Sequence, residues 1–148
     1  MTLQETLTAE LKAAMLSRNA DRTATLRLIK SALGYAMIEK KTEQLPDPEV
    51  LVVLQREAKK RRDAREEYER GGRPELAAQE AAELAIIEEF LPKALSEAEL
   101  ESLVRAVLAE TGVTSKKEMG VVMKAAQARA GGRADGRLLS GVVSRLLG

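Results

Sequence analysis

The sequence predicts an all-α protein: an N-terminal helical domain with a long helical hairpin, followed by a small C-terminal three-helix tail domain. Three observations carry this. Apolar residues recur at helical spacing in every long segment, and no segment alternates as a half-buried strand does. Helix-start signals are frequent: Thr2 with Glu5, Asp47 before Pro48, Pro74, Ser96 with Glu99, and Ser115 with Glu118. Stop signals answer them at Gly71-Gly72, Pro92, Gly112 and Gly131-Gly132. A length of 148 residues suits one domain or two small ones. The proline break at Pro92 and the fresh start at Ser96 divide the chain into residues 1–94 and 95–148.

In order, the spacing predicts a first helix opened by a Thr2–Glu5 capping box, with Leu3, Leu7, Leu11, Ala14 and Met15 on one side. Ser17 to Asp21 reads as a turn. A second helix to about Lys40 buries Leu26, Ile29, Leu33 and Met37, while Arg27, Lys30, Gly34 and Lys41 share another side. Thr42 to Pro48 reads as a loop, and Asp47 is expected to cap a third helix with Pro48 in its first position. That helix runs to Gly71, places Leu51, Leu54 and Ala58 in the core, and becomes almost wholly charged from Glu57 on. A fourth helix from Pro74 to Pro92 carries Leu76, Leu84, Ile86, Ile87, Phe90 and Leu91. So short a glycine turn makes the third and fourth helices an antiparallel hairpin. A fifth helix runs from Ser96 to Gly112, and a sixth starts at a Ser115–Glu118 capping box and stacks Met119, Val122, Met123 and Ala126. The last, from about Asp135 to Leu147, buries Leu139, Val142, Val143 and Leu146.

Composition narrows the function. The chain has neither cysteine nor histidine, which removes thiol nucleophiles, the usual zinc ligands and the commonest neutral-pH acid–base group. No catalytic residue, metal site or cofactor is predicted. No apolar run reaches the length of a membrane span, and the mixed-polar start is unlike a targeting peptide, so a cytoplasmic protein without membrane association is expected.

Net charge is +1, but its distribution is uneven. Between Ser115 and Gly148, the basic residues Lys116, Lys117, Lys124, Arg129, Arg133, Arg137 and Arg145 face just Glu118 and Asp135. A polyanion suits that end of the chain. On the sixth helix Lys117, Gly120, Lys124 and Gln127 fall on one outward stripe. The glycine there admits close approach of another backbone, or of a neighbouring helix. Arg27 and Lys30 form a secondary basic stripe that reads as solvated or as phosphate-facing. The run Lys59-Lys60-Arg61-Arg62 resembles a nucleic-acid motif, yet acids sit one turn away from it: Glu57 from Arg61, Lys59 from Asp63, Arg62 from Glu66. A solvated, ion-paired helix is the expectation.

The segments LRLIKSAL, REAKKRRDAREEYERGGRPEL, EAAELAIIEEFLP and KKEMGVVMKAAQARAGGRADGRLLSGVV, in that order, resemble the YqeY family, also called GatB/YqeY-like. That family is similar to the helical and tail domains that end the GatB component of aspartyl/glutamyl-tRNA amidotransferase. The resemblance implies a tail that contacts tRNA by shape and phosphate, supplied to an aminoacyl-tRNA synthetase or an amidotransferase component. Its candidate RNA-binding residues are Lys117, Gly120, Lys124, Arg129, Gly132, Arg133 and Arg137. The relative's carbon–nitrogen ligase activity, with glutamine as amido donor, depends on a nucleotide-holding cradle that has no counterpart in this chain. A helical protein–protein docking module without nucleic acid is one alternative, and an enzyme in its own right, resting on lysine or carboxylates, is another. Tyr35, Tyr68 and Phe90 are the whole aromatic content, too few to stack unpaired bases.

Overall fold

The computed structural model describes residues 1–131 and 133–148. Among them the order is α1 (Leu3–Leu16), α2 (Ala20–Lys40), α3 (Asp47–Arg70), α4 (Pro74–Glu88), α5 (Glu97–Thr111), α6 (Met119–Ala130) and α7 (Gly136–Leu147), with no strand. The chain is all-α, as its periodicity predicts. It forms two compact units, Met1–Leu91 and Pro92–Gly148.

In the first unit the Thr2–Glu5 capping box forms, and the next free N–H, on Leu3, donates to Asp47 Oδ1 at 2.9 Å. Asp47 is therefore not the cap of its own helix. It occupies the first position of α3 behind Pro46, and its carboxylate reaches across to the open end of α1 instead. Leu7, Leu11 and Ala14 are buried, whereas Met15, expected in the same stripe, is 50% exposed because it lies about 40° beyond Leu11 round the helix. The turn after α1 is shorter than Ser17–Asp21. Arg18 adopts a left-handed φ of 57°, and Asn19 already caps α2 by accepting from the Arg22 N–H. α2 buries Thr25, Leu26, Ile29 and Leu33, with Met37 half-buried.

The hairpin closes through Gly71–Arg73. Val50, Val53, Leu54 and Ala58 of α3 are buried, as are Ala77, Leu84 and Ile87 of α4. Val50, Val53 and Ala77 thus join the core beyond the predicted stripes, and Leu51 is half-buried. α4 stops at Glu88, short of Pro92, and the following turn leaves Phe90 and Leu91 half-buried. The predicted Glu57–Arg61 pair exists at 2.9 Å, but it is not solvated: these residues are 8% and 9% exposed. Arg61 also lies 3.4 Å from Glu83 on α4. Residues 61 and 83 stand equally far from Gly72, as antiparallel helices require. Lys60 reaches Glu57 at 3.1 Å from a largely exposed position. At the base of this unit Arg22 links Glu10 of α1, at 3.1 Å, to Glu89, at 2.8 Å, and sits 5.9 Å from the centre of the Phe90 ring.

In the second unit Ser96 and Glu99 form their capping box, and Gly112 ends α5 with a φ of 70°. Leu100, Val104, Val107, Val113, Val122, Ala126, Leu139, Val142 and Val143 make its core. The Ser115–Glu118 capping box does not form. Ser115 Oγ accepts from the Lys117 N–H at 3.2 Å, which tightens Lys116–Glu118 into one 3₁₀ turn, and α6 starts at Met119. Gly131 ends α6 in the left-handed region, and Asp135 caps α7 by accepting from the Arg137 N–H at 2.8 Å.

Candidate nucleic-acid interface

α6 faces its core with Val122, Ala126 and Ala130, flanked by half-buried Met119 and Met123. Helical periodicity then turns Gly120, Lys124 and Gln127 outward, with Lys117 in the 3₁₀ turn just before them, and all four are exposed. Val121, 53% exposed, and Ala128 widen this face with small apolar surface. Among the described residues no carboxylate pairs with Lys116, Lys117 or Lys124. A Cβ placed on Gly120 would meet nothing within 4 Å. Among the described residues of its unit, close helix–helix packing therefore does not account for the glycine.

The stripe continues towards the start of α7, where a Cβ on Gly136 would lie 3.7 Å from Gln127 Nε2. Arg137 stands in that first turn, exposed and engaged by a partner within the protein. Arg133, between α6 and α7, acts as a clamp. Its carbonyl accepts from the Leu95 N–H at 2.8 Å, and its Nε donates to the Lys93 carbonyl at 3.0 Å. The residue as a whole stays exposed. Arg129 is ion-paired to Glu110 of α5 at 2.6 Å, and Arg145 lies 3.6 and 3.5 Å from Glu97 and Glu101. α5 thus neutralises two of the cations that the sequence shows in excess.

Local charge also acts on α5. Hydrogen bonds from the Ser96 backbone and hydroxyl hold Glu99 below the usual carboxylate range, with Arg133 and Lys93 adding to the effect. Arg105, through its hydrogen bond, does the same for Glu101. Both remain negative at neutral pH, keeping α5 acidic.

Of the predicted residues, Lys117, Gly120 and Lys124 share one face, and Arg133 and Arg137 follow at the α6–α7 connection. Gly132 lies outside the described residues. Arg27 and Lys30 belong to the first unit, both exposed on α2. Tyr35 is 74% exposed while Tyr68 and Phe90 are half-buried, so the described aromatics form no stacking platform. Among the described residues no helix is long and apolar enough to cross a membrane, and no group of three acidic, histidine or cysteine side chains could hold a metal ion.

Two comparisons bear on this arrangement. The chain is 33% identical over 91 residues to the uncharacterised protein C22F3.15 of Schizosaccharomyces pombe, a match covering 62% of this chain and 73% of that one. The Yqey-like protein family matches residues 4–147, a span that takes in nearly all of both units and the whole outward stripe of α6. The chain belongs to the Yqey-like protein family.

Proposed function

We propose that this protein is a non-catalytic tRNA-binding adaptor that grips its RNA by shape and phosphate through the outward face of α6, and presents it to a translation enzyme. The observation that carries the reading is the α6 face itself. Lys117 and Lys124 have no carboxylate partner among the described residues, and they flank a glycine whose missing side chain opens on nothing within 4 Å. Lysines supply counterion-releasing charge, and the bare backbone between them lets a sugar–phosphate surface come close. Arg133 and Arg137 extend the contact at the α7 end. Arg129 contributes less because Glu110 already holds it. The lack of an aromatic platform fits recognition of helical RNA over unpaired bases.

The test is binding of a total tRNA pool across a salt series. Wild type should bind at low salt and release as salt rises. The Lys117→Glu/Lys124→Glu variant should bind far more weakly and lose about one unit of salt slope per contact removed. Reversing Lys59 and Lys60, on the locally neutralised α3, should change binding little. Unshifted tRNA at low salt, or loss of binding with the α3 pair alone, overturns the proposal.

A further inference from the structure

α2 is apolar on two sides. One side is the core stripe Leu26, Ile29 and Leu33. The other is its opposite: Leu28, Tyr35 and Ile38, 47%, 74% and 76% exposed, recur at i, i+7 and i+10 with exposed Ala24 and Ser31 among them. A single exposed leucine is ordinary, but a three-residue stripe including the most exposed aromatic of the chain, aligned along one helix, is a surface built to be covered. At its C-terminal end the stripe runs into a shallow groove lined by Gly34, Met37, Ile38, Lys41, Thr42 and Glu43. A Cβ on Gly34 would meet nothing within 4 Å, so the groove floor is backbone open to an incoming side chain.

Charge along the edges indicates what covers it. Arg27, Lys30 and Lys41 line one edge, exposed and without a carboxylate partner among the described residues. Asp21 and Glu39 stand exposed along the other. We propose that this face of α2 docks an amphipathic helix of a partner protein, with acidic residues along the edge that meets Arg27, Lys30 and Lys41, and an apolar anchor seated beside Gly34. Apolar anchors at i, i+3/i+4 and i+7 are the usual reading frame for a helix laid on such a stripe. Opposite signs on the two edges let that helix lie in one direction and resist the reverse. The inference rests on the first unit alone and does not depend on RNA binding by α6.

The probe is a synthetic amphipathic peptide of about four turns, enough to span the roughly 15 Å from Leu28 to Ile38. It carries leucines on one face, glutamates along one edge and lysines along the other, and is titrated into the full-length protein by calorimetry. A scrambled peptide of the same composition is the control. The designed peptide should bind saturably and the scrambled one should not. Ile38→Glu, at a position exposed enough to leave folding intact by circular dichroism, should abolish binding, and Arg27→Glu/Lys30→Glu should weaken it about tenfold, the size of losing one good charge contact. tRNA binding should be the same in all these variants. Binding that ignores Ile38→Glu, or equal binding of the scrambled peptide, overturns the proposal. So does a free protein that sediments as a dimer and becomes monomeric with Ile38→Glu, which would assign the face to a second copy. Retained affinity in Arg27→Glu/Lys30→Glu overturns the acidic partner.

Discussion

At the scale of single residues, the least expected finding is the charge inside the α3–α4 hairpin. Arg61 sits in the most conspicuous basic run of the chain, yet it is turned inward between Glu57 and Glu83. Its Nε has no hydrogen-bond partner, because the 3.4 Å approach to Glu83 is close enough for charge but poorly aimed for a hydrogen bond. Removing Arg61 would leave Glu57 buried without its main compensation. Glu80 feels the same crowding: burial, and then the neighbouring Glu83 charge, push it above the usual carboxylate value of 4.5, against a pull from Arg61. Its folded-state pKa exceeds the unfolded one. The stability it contributes is thus fully present below the unfolded value and is lost as pH rises through the folded value. Glu80→Gln should therefore raise the urea midpoint at neutral pH, with the difference from wild type shrinking under mildly acidic conditions. An unchanged midpoint at neutral pH would show that solvent screens the repulsion.

At the scale of elements, boundaries were the most legible feature because each has a local chemical cause. Thr2–Glu5, Ser96–Glu99, Gly112, Gly131 and Asp135 act where their spacing places them, since a cap needs atoms only three or four residues away. The misreading at Ser115 is local, since its hydroxyl accepts from Lys117 two residues on and not from the third residue that a capping box needs. The others are settled by non-local partners: nothing near Asp47 in sequence indicates that its carboxylate would serve Leu3. Burial of Glu57 and Arg61 was hidden for the same reason, although Glu83 at the mirror position across the glycine turn was a usable signal. The outward stripe of α2 was visible as apolar positions off the core register, which a single buried face leaves unread. Asp47→Ala measures the cross-fold cap. It should destabilise the first unit by about 1 kcal/mol in urea unfolding, the ordinary value of a helix N-cap, and speed hydrogen exchange at Leu3 and the following amides of α1. Loss confined to the start of α3 would contradict the assignment.

At the scale of the whole molecule, the candidate interface was legible as a charge excess and as an outward stripe, but not in which of its cations are paired. Composition counted seven tail cations alike, and tertiary pairing then separated them. Arg129 and Arg145 are spoken for by α5, Arg133 is committed at its Nε to Lys93, and Lys117 and Lys124 have no carboxylate partner among the described residues. The glycines follow a parallel logic. Gly34, Gly120 and Gly141 lie within α2, α6 and α7, and at each an added Cβ would find open space. In a helix each costs roughly 0.5–1 kcal/mol against alanine, with no internal contact to offset it. The fold therefore runs below its own attainable stability, in the manner of a trade-off against recognition. Each Gly→Ala change should raise the unfolding midpoint of its own unit. Gly120→Ala should at the same time weaken tRNA binding and Gly34→Ala the helical peptide, while Gly141→Ala, outside both surfaces, should gain stability and lose nothing. Such a pattern would mark two of the three glycines as rigidity forgone for the sake of contact.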